Sequence, residues 1–185
     1  MKEIVRLSLL VIALVLLGCK ERTEQIDSGG ILLEVEFSAE GIPVVVSVNA
    51  AADLGLVQIP TTNINSVVAD PDAEVGSLMD IELEAVEVTY ERVDSGTRVP
   101  QPYVLNLLGL IPAGGTLSYN NLPVMSRDQL LNPPLSDLLY ENGGYDRETG
   151  QTMIRMNLWL RVYGRTLTGR AVESLPRPHT IEFIQ

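Results

Sequence analysis

The stretch Ile154-Arg-Met-Asn-Leu-Trp-Leu-Arg-Val-Tyr163 decides the fold of this chain. Ile154, Met156, Leu158, Leu160 and Val162 alternate with Arg155, Asn157, Trp159, Arg161 and Tyr163. A period of two puts the first set on one face of a strand and the second on the other, so the aliphatic set is read as core. Downstream, Gly164-Arg-Thr-Leu-Thr-Gly169 reads as a turn, Arg170 to Ser174 as a returning strand, and Thr180 to Ile184 as a closing strand after Pro176-Arg-Pro178.

The same grammar extends upstream. Met79 to Arg92 is a long strand with a change of phase: Met79, Ile81 and Leu83 alternate with Asp80, Glu82 and Glu84, and beyond Ala85 the apolar positions become Val86, Val88 and Tyr90. A slip of one residue would turn the apolar side outward, so a bulge near Ala85-Val86 is expected, with the acidic ladder on a solvated face. Asp94-Ser-Gly96 ends that strand with turn chemistry. Ile31 to Phe37, Ile42 to Val48, Leu56 to Ile59, Ile64 to Val68, Val104 to Leu110 and Thr116 to Tyr119 are further strands. Residues from about 120 to 150 break the pattern as an insert. Ser126 and Gln129 have capping-box spacing, and Leu130, Leu131, Leu135, Leu138 and Leu139 recur at near-helical intervals. Pro133 and Pro134 limit this to short helical turns over the end of the sheets.

Strands at short spacing without helical crossovers predict an all-β, antiparallel sandwich over residues 31–185. The closing Val162-Tyr-Gly-x-Thr-x-x-Gly-Arg-x-Val172 rhythm resembles the last hairpin of bacterial immunoglobulin-like and fibronectin type III-like domains. That resemblance implies a fold and brings no chemistry.

At the other end, Lys2 and Arg6 precede an apolar run, Leu7 to Leu17, broken only by Ser8, and then Gly18-Cys19. The run is about half the roughly 20 residues needed to span a bilayer. Residues 1–18 therefore read as an export signal rather than a span. With Cys19 directly behind the small residue, the segment resembles the signal peptide of bacterial lipoproteins. The resemblance implies cleavage before Cys19 and acylation of its sulfur, hence a lipid-anchored protein of the cell envelope. In a Gram-negative envelope, Lys20 after the cysteine implies the outer membrane. Residues 19–30, ending in Gly29-Gly30, read as the lipidated cysteine and a flexible tether.

Composition narrows the chemistry. The formal charge is −11, and about −12 without the signal. An acidic body disfavours nucleic acid and anionic lipid headgroups. Lys2 and Lys20 are the only lysines, which excludes a Schiff base, a Ser-Lys dyad or a P-loop in the folded body. One cysteine cannot form an internal disulfide, and one histidine, His179, excludes every two-histidine metal motif. His179 reads as a surface or strand-end residue.

Three sites remain as candidates. Asp70, Asp72 and Glu74 alternate and offer oxygen ligands for Ca²⁺, with Asp53 and Asp80 as further donors if the fold gathers them. The same Asp-Pro-Asp is ordinary turn composition. Trp159 with Arg155, Arg161 and Tyr163 forms a candidate aromatic and arginine recognition patch; packing under the leucine-rich insert, or a cross-strand aromatic pair, accounts for the same residues and is preferred. Paired carboxylates, finally, leave an envelope hydrolase as the alternative to a non-enzymatic module binding an envelope protein or glycan.

Overall fold

A computed structural model describes residues 30–38, 41–70, 72 and 74–185. The expected export signal, Cys19 and the expected tether up to Gly29 lie outside the described residues. Among the described residues there are eleven strands: β1 Ile31–Phe37, β2 Val44–Ser47, β3 Leu56–Ile59, β4 Thr62–Val68, β5 Ile81–Arg92, β6 Tyr103–Ile111, β7 Thr116–Tyr119, β8 Leu122–Ser126, β9 Met153–Thr166, β10 Ala171–Glu173 and β11 Arg177–Ile184. They form a large sheet in the order β2-β11-β9-β5-β6 with β10 on β9, a three-stranded sheet β1-β4-β7, and a ribbon β3-β8. The all-β, sandwich-like architecture predicted from the alternation is the observed one. It departs from a purely antiparallel plan at one pair, β2 with β11, which runs parallel.

The deciding strand, β9, lies between β5 and β11. Ile154, Met156, Leu158, Leu160 and Val162 are all buried, as their alternation requires. They meet Ile31, Leu33, Val35 and Phe37 of β1 and Ile64 of β4 in one core. The phase change in β5 is a bulge: its register against β9 shifts between Leu83 and Ala85, one residue before the expected place. Leu83 and Val86 are consequently both buried, while Glu82 and Glu84 stay exposed.

Three local expectations need correction. The valine run after Ile42 does not continue as strand through Val48. Ser47 caps a helix, α1 (Val48–Leu54): its hydroxyl oxygen accepts from the Ala50 N–H at 3.4 Å. Gly55 closes it in the left-handed conformation, φ 82°, which glycine adopts without a Cβ clash. The helix forms here because Val48, Ala51 and Ala52 share its buried side. Second, the insert starts later than 120, because Leu122–Ser126 pairs with β3 as β8. Beyond it come a one-turn helix, α2 (Arg127–Leu130), and 3₁₀ turns at Leu135–Leu138 and Tyr140–Asn142. Leu130, Leu135, Leu138 and Leu139 are buried, but Leu131 is exposed. Third, His179 is no surface residue. It sits inside β11, opposite Leu158, and is 5% exposed.

His179 lies against Phe37, ring centres 4.7 Å apart, beside Ile59, Pro60 and Thr61. Among the described residues its buried Nε2 has no hydrogen-bond partner. Burial lowers its pKa from the ordinary 6.5, since this site disfavours a cation. An unfolded chain thus takes up the proton at higher pH than the folded one. Stability is full above pH 6.5 and falls as the pH drops below it. The expected result is a melting temperature that declines between pH 7 and 5, with a shallower decline in His179→Leu. An identical slope in the variant would exclude His179 as the cause.

Candidate functional site

The outer face of the large sheet carries the predicted recognition patch, and the fold does bring its four residues together. Arg155, Trp159, Arg161 and Tyr163 line the side of β9 opposite the core, with the β5 carboxylates beside them: Glu87 lies opposite Arg161 and Glu82 opposite Arg165. Trp159 and Tyr163 are already bonded to those acids. Trp159 Nε1 donates to Glu91 at 2.8 Å, and the Tyr163 hydroxyl to Glu87 at 2.7 Å. Arg155 is paired with Glu182 of β11, and Arg165 with Glu84 at 3.2 Å. Trp159 is therefore not under the insert; it lies between Thr89 and Pro178 on the outer face. The acidic ladder of β5 is the other half of this cross-strand lattice.

The calcium candidates are not gathered. Asp70, Asp72 and Glu74 are exposed, and the Asp70 carboxylate accepts from the Asp72 N–H at 3.0 Å, as in an ordinary aspartate turn. Asp80 accepts from the Ala113 N–H at 3.0 Å, and Asp53 is exposed on α1. Among the described residues no group of three or more acidic, histidine or cysteine side chains is placed to hold a metal ion.

The densest charge cluster is one the sequence did not announce. Arg92, at the end of β5, is almost wholly buried, its side chain 1% exposed. Its Nε donates to Asp94 at 2.5 Å and its Nη2 to Asp146 at 2.8 Å. Arg98 reaches Asp137 at 2.8 Å and Asp146 at 3.1 Å. Glu148 accepts from the Thr97 N–H at 2.8 Å, the Thr97 hydroxyl at 2.5 Å and the Arg98 N–H at 3.1 Å. Asp94 also accepts from the Arg155 N–H at 2.8 Å, so the cluster ties loop 93–102 and the insert to β9. Gly96 packs beside it: a Cβ there would fall 2.3 Å from the Arg92 guanidinium carbon and displace that group. One local signal was readable: Asp146 takes the Thr149 N–H at 3.1 Å and hydroxyl at 2.6 Å, a short-range aspartate turn. Its long-range arginine partners were not.

Electrostatics fix what this cluster can do. Burial alone raises the Asp146 and Asp94 pKa values, but the Arg92 hydrogen bonds, backbone N–H donors and the cationic charge outweigh it and hold both well below the usual range. The Thr97 hydroxyl, followed by the Arg98 and Thr97 N–H groups, holds Glu148 down at about 2. These carboxylates stay ionised and saturated with donors near neutral pH. They are poor general acids, and their oxygens are turned to arginine rather than to an open cleft.

Two sheet margins carry exposed side chains. β6, at one margin of the large sheet, exposes Val104, Leu108 and Leu110, and residues 99–126 around it carry no charged side chain. β1, at a margin of the three-stranded sheet, borders a groove of about 720 Å³. No family model matches the chain, and neither does any curated protein. A superposition on the "X-ray structure of Northeast Structural Genomics Consortium target SoR45" covers 84% of this chain and 88% of that one, at 8% identity and a TM-score of 0.35. Among the described residues no helix is long and apolar enough to cross a membrane.

Proposed function

We propose that the protein is a lipid-anchored envelope lipoprotein, acylated at Cys19, whose sandwich is a non-enzymatic module for binding or assembly. The observation that supports this most is the contrast between its charged cluster and its edges. The buried acids are committed to arginines and close the insert onto the sheet, whereas β1 and β6 stand at sheet margins on which, among the described residues, no further strand is paired. Open edges favour partners that add a strand or lie along one. The hydrolase alternative finds less support: it needs a carboxylic acid that keeps its proton, and the clustered carboxylates are pushed the other way. The tether of residues 19–30 then serves to hold the module off the membrane.

Two measurements test the reading. Expression with labelled palmitate is expected to label the chain and leave Cys19→Ser unlabelled; equal labelling would overturn the anchor. Crosslinking of the intact chain in its own envelope is expected to trap a discrete partner. No crosslinked species, together with glycan turnover by the purified chain, would replace binding with hydrolysis.

A further inference from the structure

The backbone of β1 shows which groups its margin offers. Gly30 O accepts from the Ala69 N–H at 2.8 Å, and the Ser38 N–H donates to Thr61 O at 3.1 Å. These two bonds bracket the β1–β4 ladder, in which residues exchanging bonds alternate with residues that do not. Even-numbered residues of β1 thus turn their main chain toward β4. Odd-numbered ones, Leu33 and Val35 among them, turn theirs to the open margin. Leu33 is bridged there to Ser174, in parallel, and among the described residues no strand continues that pairing. The groove begins at this point. Its walls are β1 on one side, and on the other the segment that joins β10 to β11.

Its chemistry is two-toned. Leu32, 52% exposed, and Leu175, 85% exposed, add apolar surface to its lining. Among the described residues, Glu34, Glu36 and Glu173 line it together with Arg177. Glu36 accepts from a neutral donor, the Asn65 amide, at 3.3 Å. The even-numbered side chains of β1 thus run apolar, acidic, acidic along an edge with main-chain groups free of a ladder. We infer that this groove takes an extended, cationic polypeptide segment of a partner, which adds as a strand beside Val35 and sets basic side chains on Glu34 and Glu36. The inference rests on the binding reading above and names its site and partner chemistry. A strand-like ligand suits the site because main-chain pairing supplies affinity and alternate side chains supply selection. Acidic segments are repelled by the groove and by the −11 charge of the whole chain.

The experiment uses the full chain in neutral detergent and fluorescent seven-residue peptides of alternating lysine and valine, or glutamate and valine. Anisotropy is expected to show the lysine peptide binding at least about tenfold tighter, with affinity falling as salt shortens the screening length from about 10 Å at 0.1 M. Glu34→Lys with Glu36→Lys is expected to lose at least tenfold. Both side chains are exposed, so circular dichroism and melting should be unchanged. The control, Asp53→Lys with Glu141→Lys, reverses the same charge on exposed residues elsewhere and is expected to keep binding. N-methylation of alternate peptide nitrogens should also abolish binding. Equal binding of both peptides, equal loss in both charge variants, or indifference to N-methylation would overturn the assignment. Failure of the groove and failure of the binding reading stay distinct. A partner crosslinked equally to the Glu34/Glu36 variant removes the groove alone, whereas absence of both peptide binding and any crosslinked partner removes both.

Discussion

Leu158→Asp is expected to abolish the folded state, while Arg155→Ala, three residues away on the same strand, leaves it nearly intact. Leu158 is fully buried at the centre of β9, between Tyr90 on β5 and His179 on β11. An aspartate there either buries an unpaired charge or takes up a proton and leaves a polar group without a partner; either route costs on the order of 4 kcal/mol or more. A domain of this size loses roughly 2–4 °C per kcal/mol, so a melting scan should show a fall beyond about 8 °C or no transition at all. Arg155 has a side chain 46% exposed and one partner, Glu182, so its removal should cost no more than about 1 kcal/mol. Equal effects would mean that the two faces of β9 are wrongly assigned.

Removing the buried guanidinium is the second large effect. Arg92→Met keeps most of the side-chain volume but strips Asp94 and Asp146 of their shortest charged contacts. A buried pair broken from one side costs about 3–5 kcal/mol, because the remaining charge has lost its counter-ion. Arg98 still reaches Asp146, which argues for the lower end of that range. Arg147→Ala is the comparison: its side chain is 61% exposed and touches Asp137 only at 3.4 Å, so less than about 1 kcal/mol is expected. The acid limb separates the two further. Carboxylates whose pKa is lowered in the folded state stabilise it above their unfolded pKa and cease to do so as pH falls through the folded one. The native chain should therefore lose stability from about pH 4.5 downward toward 2, the window of Glu148, with Asp94 and Asp146 adding to it below 3.8. Arg92→Met should show a flatter limb in chemical denaturation at each pH. A variant as stable as the native chain, with the same limb, would mean the cluster does not hold the insert.

The alternation in β9 and the phase slip in β5 were legible because a two-residue period maps directly onto two sides of a strand. Helix α1 was missed for a different reason. Val48 continues the alternation of Val44 and Val46, so the boundary rests on Ser47 and Gly55, two caps eight residues apart that are also ordinary turn residues. His179 was misplaced because Pro176 and Pro178 read as a break, whereas β11 begins at Arg177 and carries Pro178 within it. Gln129 shows how far local reading reaches. Its oxygen takes the Ser126 N–H at 2.8 Å as the capping spacing requires, but its amide also donates to Tyr90 and to the Gln101 carbonyl. Such bonds cross from the insert to distant segments, and spacing carries no trace of them. The arginine cluster was invisible on the same ground: Arg92 and Asp146 are brought together by tertiary packing alone.

The parallel pairing of β2 with β11 joins Val44–Ser47 to Ile181–Ile184, nearly the two ends of the sandwich in sequence. A ribosome delivers the chain from its amino end, so the large sheet lacks its central strand and its partner for β2 until the last few dozen residues have emerged. Contacts that span so much of the sequence form slowly and only after synthesis. The large sheet is thus completed only at the end of synthesis, and a chain cut short before Arg177 would leave β2 without its partner and β9 bare along Met153–Leu160.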